Sequence, residues 1–179
     1  MILGMLRKLD MLPSAKQAFV RAYAQTKYSK HPAEQETTIS VLAEAFAALL
    51  DSSGLSTSDI DGLAVSSFTL TPDRAIDLAV KFGVKLSWIM DGGTGGASGV
   101  DMIQHATRAI QAGDAKNIAV IGGDVFRADD FSNLVQNYNR NTQELLTPIG
   151  VHGPNPLFAL LTQMQMEKFG LTKHDYGRL

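Results

Sequence analysis

The residues with the greatest capacity for chemistry lie in one stretch, Met90-Asp91-Gly92-Gly93-Thr94-Gly95-Gly96-Ala97-Ser98-Gly99. Before it stands a short apolar run, Leu86 to Met90, and after it a helix-period segment, Val100 to Ala112, closed by Gly113. Strand, glycine turn and helix in that order expose a helix N-terminus, whose amides lack intrahelical acceptors and attract a negative or partly negative oxygen. Glycine in a helical turn costs about 1 kcal/mol relative to alanine. Gly96 and Gly99 are therefore expected to be compensated by the close approach of another backbone or of a substrate.

The turn fits no nucleotide fingerprint. Gly93-x-Gly95 is followed by Ser98 where Gly-x-Gly-x-x-Gly needs its third glycine, and no Gly-Lys pair supports a phosphate loop. The Gly-x-Ser-x-Gly elbow of hydrolases also fails, because Gly96-Ala97-Ser98-Gly99 runs into Val100. Ser98 reads first as a helix-start hydroxyl bonded to local backbone. His31, His105, His152 and His174 have no metal-ligand spacing. Of these, His152 between Gly150 and Gly153 is the candidate to line a pocket. Asp91 is expected to orient the glycine turn through Asx-type bonds, and Asp59, Asp61, Asp129 and Asp130 read as solvated loop residues.

Composition narrows the classes. A net charge of -2 and no cysteine argue against nucleic acid, anionic membrane, zinc-thiolate sites and a thiol nucleophile. Met1 to Leu12 is apolar but broken by Arg7, Lys8 and Asp10, too short for a span. The first 30 residues carry 6 basic side chains against 1 acidic, which leaves room for a transit peptide; a cytoplasmic location is the default expectation.

The elements that must position the turn can be taken in order. Ala18 to Tyr23 is a strand candidate, followed by a polar loop, Gln25 to Glu36. Thr37 or Thr38 caps a helix to Leu50 with Leu42, Ala45, Phe46 and Leu49 on one face, ended by Gly54. Ser56-x-x-Asp59 has capping-box spacing, and Ile60 to Phe68 holds an apolar strand. Pro72 and Gly83 bracket a helix with Ile76, Leu78, Ala79 and Phe82 inward. After the glycine turn and its helix, Asn117 to Ile121 forms a further strand ending in Gly122-Gly123-Asp124. The order β, α, β, α, β, α, β predicts an α/β fold with a mostly parallel sheet wrapped by helices and ligands at the carboxyl ends of its strands. Arg127 to Thr147 shows no period and reads as a long polar excursion. Asn155 and Pro156 open an amphipathic helix carrying Leu157, Leu160, Leu161, Met164 and Phe169, closed by Gly170, and Thr172 opens another. The chain reads as a truncated piece of something larger.

Several of these residues together resemble one family. The turn Gly96-Ala97-Ser98-Gly99, the helix end Ala109-Ile110-Gln111-Ala112-Gly113, the segment Val120-Ile121-Gly122-Gly123-Asp124, the loop Gln25-Thr26-Lys27-Tyr28-Ser29, and Phe158-Ala159-Leu160 through Lys168-Phe169-Gly170-Leu171-Thr172 are similar to the N-terminal half of a thiolase. The branch is that of the thiolase-like lipid-transfer and sterol-carrier-protein-type proteins. The resemblance implies an incomplete α/β domain over 18–124, the start of a helical loop domain over 125–179, and an N-terminal extension over 1–17. It implies coenzyme A thioester as substrate or ligand, with no covalently bound cofactor. In thiolases a cysteine opens the Cys-x-Ser-Gly turn, where helix amides lower a thiol pKa and can hold an oxyanion. Gly96 stands at that position here, so what remains is a cradle, Gly95, Gly96, Ala97 and Ser98, to which His152 is added as a pocket candidate.

Three functions are expected from this. The first is an acyl-CoA or lipid-thioester-binding protein of the acyltransferase family without cysteine-dependent thiolase (acetyl-CoA acetyltransferase) activity. The second is a lyase cleaving hydroxyacyl-CoA by retro-aldol chemistry with a zinc-ribbon/OB-fold partner subunit. A further alternative to the first is an active acyltransferase whose catalytic groups lie in the missing C-terminal half. The third is an inactive chain whose property is assembly: Leu86, Ser87, Trp88, Ile89 and Met90 would pair across a homodimer two-fold, with the Ser87 N–H as a strand donor. The half-sheet would also lack its last strand, leaving an edge that needs a partner.

Overall fold

The computed structural model describes residues 17–93 and 95–177. Nearly all of the expected extension 1–17, and the Met1 to Leu12 reading with it, lies outside the described residues. The chain forms two compact units that divide between Val125 and Phe126.

The first unit is built on a three-stranded parallel sheet of order β2-β1-β3, with β1 Gly62–Ser66, β2 Trp88–Asp91 and β3 Ile118–Gly122. Gly62 lies opposite Trp88 on one side and Ile118 on the other. Parallel strands covered on both faces read as continuous apolar runs, and Gly62 to Val65 of the central strand are all buried. Helices α1 Thr38–Ser53 and α2 Ala75–Phe82 place Leu42, Phe46, Leu78 and Ala79 in one core with Leu63, Val65, Ala119 and Ile121. Phe46 and Phe82 stack with ring centroids 4.6 Å apart. Helix α3, Ser98–Ala112, packs on β1 and β3 through the buried Met102, Ala106 and Ala109.

Several boundaries move from the sequence reading. Helix α2 begins at Ala75 rather than near Pro72, because Asp77 closes a capping box on Arg74. Its buried face is Ala75, Leu78 and Ala79, and Ile76, about 60° beyond the nearest edge of that stripe, is 56% exposed. Strand β2 starts at Trp88, since the Ser87 and Trp88 amides both donate to Asp61 O before the ladder opens. Ala18 to Tyr23 is not a strand. It carries no ladder partner, and Phe19, Val20 and Tyr23 are 80%, 79% and 85% exposed. Its ties to α1 are Arg21 Nε to Ser53 O and Ser52 Oγ to Tyr23 O. The physical reason is the sheet edge: β3 pairs with β1 alone among the described residues, and a cavity of about 730 Å³ lined by β3 and by residues 18–24 occupies its other side.

The second unit is helical. Arg127 to Thr147, expected as an irregular excursion, holds α4 Ala128–Gln136, a π-turn Thr142–Leu146 and the start of a 3-10 turn Thr147–Ile149. Asp129 and Asp130 are not loop residues but lie in the first turn of α4, where acidic groups favour the helix dipole and Asp130 accepts from Arg127 N. Helix α5 runs Pro154–Phe169 to its cap at Gly170, and α6 Lys173–Tyr176 follows the Thr172 box. The expected amphipathic burial of α5 does not occur: none of its residues is buried, and Leu160, Leu161, Met164 and Phe169 are 55–66% exposed. Among the described residues no helix is long and apolar enough to cross a membrane.

Candidate functional site

All three strands point their carboxyl ends at the same polar region, and each end is fixed differently. β2 stays hydrogen-bonded past its last residue, through Gly92 N to Val65 O at 2.7 Å. A Cβ on Gly92 would stand 2.9 Å from Met102 Sδ and 3.2 Å from Ser66 Cβ, so only glycine lets the chain pass between β1 and α3. Gly95 then turns the backbone at φ +64°, with Phe68 Cζ 3.5 Å from where its Cβ would be.

Residues Gly95–Ala97 form a 3-10 turn that feeds directly into α3. The helix therefore starts at Ser98, two residues earlier than its periodicity suggests. Ala97 occupies the N-cap position and its side chain has no acceptor to cap the helix. Of the two compensations expected for Gly96 and Gly99, the close approach of another backbone is not made: among the described residues no atom beyond their immediate chain surroundings lies within 4 Å of a Cβ placed on either, and both are exposed. Ser98 is 1% exposed and borders the cavity together with Gly95, Gly96 and Gly99.

The remaining candidates separate. Asp91 does not orient the glycine turn; its Oδ1 accepts from Ala75 N at 2.9 Å and caps α2 from the end of β2. Asp61 is no solvated loop residue either. Its carboxylate accepts from Lys116 N and from Asn117 N at 2.8 Å, joining the entrances of β1 and β3. Asp59 closes the Ser56 box, and the Ser56 hydroxyl and amide hold its carboxyl below the usual value. His152 is exposed and stands in the second unit, two residues ahead of α5. Among the described residues no group of three or more His, Asp or Glu could hold a metal.

Sequence reasoning missed the residue that knits this region together. Asp124, just past β3, accepts at one oxygen from the Ser67 hydroxyl, the Phe68 and Thr69 amides and the Thr69 hydroxyl, all within 2.9 Å. Its signal was an acid directly after an apolar strand and two glycines; its partners, 55 to 57 residues away, left none.

A parallel sheet wrapped by helices, with a glycine turn leading from β2 into a helix packed on the sheet, defines the class: the fold is thiolase-like α/β. The particular relatives are named as aldolases and a CoA lyase. The chain is 26% identical over 179 residues to a steroid side-chain-cleaving aldolase of Thermomonospora curvata, covering 96% of this chain and 44% of that one. It is 26% identical over 171 residues to a 17-hydroxy-3-oxo-4-pregnene-20-carboxyl-CoA lyase of Mycobacterium tuberculosis, covering 90% of this chain and 43% of the relative. A solved Ltp2-ChsH2(DUF35) aldolase superposes with a TM-score of 0.58 at 25% identity over 81% of this chain and 37% of that one. No family model matches. The chain spans less than half the length of the relatives it matches.

Proposed function

We propose that this chain is the thioester-binding half of a CoA-ester carbon–carbon lyase, in which the glycine turn holds the thioester oxygen and no covalent acyl-enzyme forms. The observation that carries this reading is the open space over Gly96, at the start of a helix with no side-chain cap. In a retro-aldol cleavage a base removes the proton of the β-hydroxyl, the bond between the α and β carbons breaks, and the electron pair moves onto the thioester as an enolate. A β-carbonyl product leaves, and protonation of the enolate gives the shorter acyl-CoA. The charge develops on the thioester oxygen, where preorganised amides stabilise the transition state most. Gly95, Gly96, Ala97 and Ser98 are assigned that role, and the base is assigned to sequence outside this chain. The names of the relatives support the reaction class. We assign 18–124 to the thiolase-type α/β domain and 125–179 to the start of its loop domain, and expect a cytoplasmic protein. A partner subunit is proposed because the solved relative is named as a complex with ChsH2(DUF35); the zinc-ribbon/OB-fold type is the one the family resemblance implies.

The test is a product assay on the intact protein with its partner. A 3-hydroxyacyl-CoA with a tertiary β-carbon is expected to yield a ketone and the shortened acyl-CoA in equal amounts. Acetoacetyl-CoA plus CoA is expected to give no acetyl-CoA above the buffer control. Rapid thiolysis in that second assay rejects the proposal.

We also propose a homodimer formed along β2, an edge strand of the sheet. The Ser87 donor is spent within the chain on Asp61 O, so it is not available to a partner. Trp88 N and Gly92 N both turn inward to β1, and alternation leaves the Ile89 N–H facing outward. Ile89→Pro removes that donor while sparing the ladder to β1, the one edge geometry in which proline is tolerated. Sedimentation is expected to show monomer for Ile89→Pro and dimer for the parent; an unchanged dimer mass counts against the edge.

A further inference from the structure

We propose that Asp124 is a positioning residue for the glycine-turn site, holding Phe68 as an apolar wall against which the acyl part of the thioester packs. The ligand in this proposal rests on the thioester reading above; the clamp rests on geometry alone. Asp124 Oδ1 receives Ser67 Oγ at 2.7 Å, Phe68 N at 2.7 Å, Thr69 N at 2.9 Å and Thr69 Oγ1 at 2.9 Å. The turn is tied a second time, because Ser67 Oγ accepts from the amides of Thr69 and Leu70. A third tie comes from α1: the Thr38 hydroxyl pairs with Thr69 Oγ1 at 2.6 Å and accepts from Val125 N.

An Asx-type turn needs one or two local bonds from its own carboxyl or amide. Here an acid just past a strand, 55 to 57 residues downstream, takes four from three consecutive residues, and the side chain at their centre is a phenylalanine left 52% exposed. Its Cζ lies 3.5 Å from the Cβ position of Gly95, and Phe68, Gly95, Gly96 and Ser98 border one cavity. An apolar ring fixed beside an open amide turn has the arrangement of a pocket that orients a ligand by a few polar groups and packs its apolar part.

Equilibrium dialysis with octanoyl-CoA and with free CoA, together with amide exchange at Phe68 and Thr69, tests both parts in the intact protein. Phe68→Ala is expected to weaken octanoyl-CoA roughly tenfold while leaving CoA unchanged, since the lost contact is apolar. Asp124→Ala is expected to show the same selective loss and to abolish exchange protection at the two amides; Asp124→Asn, which keeps an acceptor at Oδ1, restores most of both. Equal weakening of octanoyl-CoA and CoA, or protection unchanged in Asp124→Ala, overturns the inference. Parent protein that binds neither compound overturns the thioester reading and the acyl wall with it, whereas parent that binds while the variants match it overturns the inference alone.

Discussion

Replacing Gly96 by cysteine is expected to give a folded protein bearing one fast-reacting thiol. The steric case is direct: among the described residues no atom outside the immediate chain surroundings lies within 4 Å of a Cβ at this position, and its φ is not in the left-handed region. The electrostatic case follows from the turn feeding α3 without a side-chain cap, because partial positive charge at a helix start favours the thiolate. Thiols so placed titrate at least about one unit below the ~8.5 of a free cysteine. At neutral pH that raises the thiolate fraction by roughly tenfold and, because a more acidic thiolate is a weaker nucleophile, the alkylation rate by roughly threefold. The chain has no cysteine of its own, so the rate of iodoacetamide labelling against pH reads the introduced group alone. A midpoint at or above the free-thiol value would show that the turn does not present a helix start to its ligand, and the oxyanion role would go with it. The same variant separates binding from covalent chemistry. If acyl-CoA then leaves an acyl group on the introduced thiol, the protein has kept the cradle of a thiolase and lacks only its sulfur.

How much of this could be read from the sequence depends on the range of the interaction. Helix ends were legible because glycine in the left-handed conformation is a local requirement: Gly54, Gly83, Gly113 and Gly170 all cap helices at φ between 65° and 89°. The strands of the sheet were legible because burial on both faces forces runs such as Leu63-Ala64-Val65 and Ile118-Ala119-Val120-Ile121. Ala18 to Tyr23 misled because a short apolar and aromatic run states what a strand accepts, not whether a partner is there to pair with it. The α4 segment misled in the other direction, since Asp and Asn lower helix propensity in the interior yet favour a first turn. At the site, the glycine turn announced itself. The carboxylates did not: Asp61, Asp91 and Asp124 each bind amides brought near only by the closed sheet, and no local pattern separates them from solvated acids.

Two glycines four residues apart are expected to respond in opposite senses to the same added methyl group. Gly92→Ala puts a Cβ 2.9 Å from the sulfur and 3.2 Å from Cγ of Met102, and 3.2 Å from Ser66 Cβ. Met102 lines the cavity and its end can swing aside, but its Cγ and Ser66 Cβ, nearer the backbone at 3.2 Å, must also give. Overpacking of this kind costs about 1–3 kcal/mol, a loss of roughly 3–10 °C in Tm for a chain of this size. Gly96→Ala meets nothing, and removing a glycine from a compatible turn adds about 0.4–1 kcal/mol through the unfolded chain. The thermal unfolding of Gly96→Ala is therefore expected at or slightly above the parent, while its affinity for octanoyl-CoA falls because the methyl crowds the thioester carbon and sulfur beside the turn amides. Gly92→Ala is expected to lose stability first, and affinity only in proportion to the protein unfolded. Gly96→Ala that destabilises like Gly92→Ala would mean that position 96 is kept as glycine for packing. The emptiness above the turn would then have no functional reading.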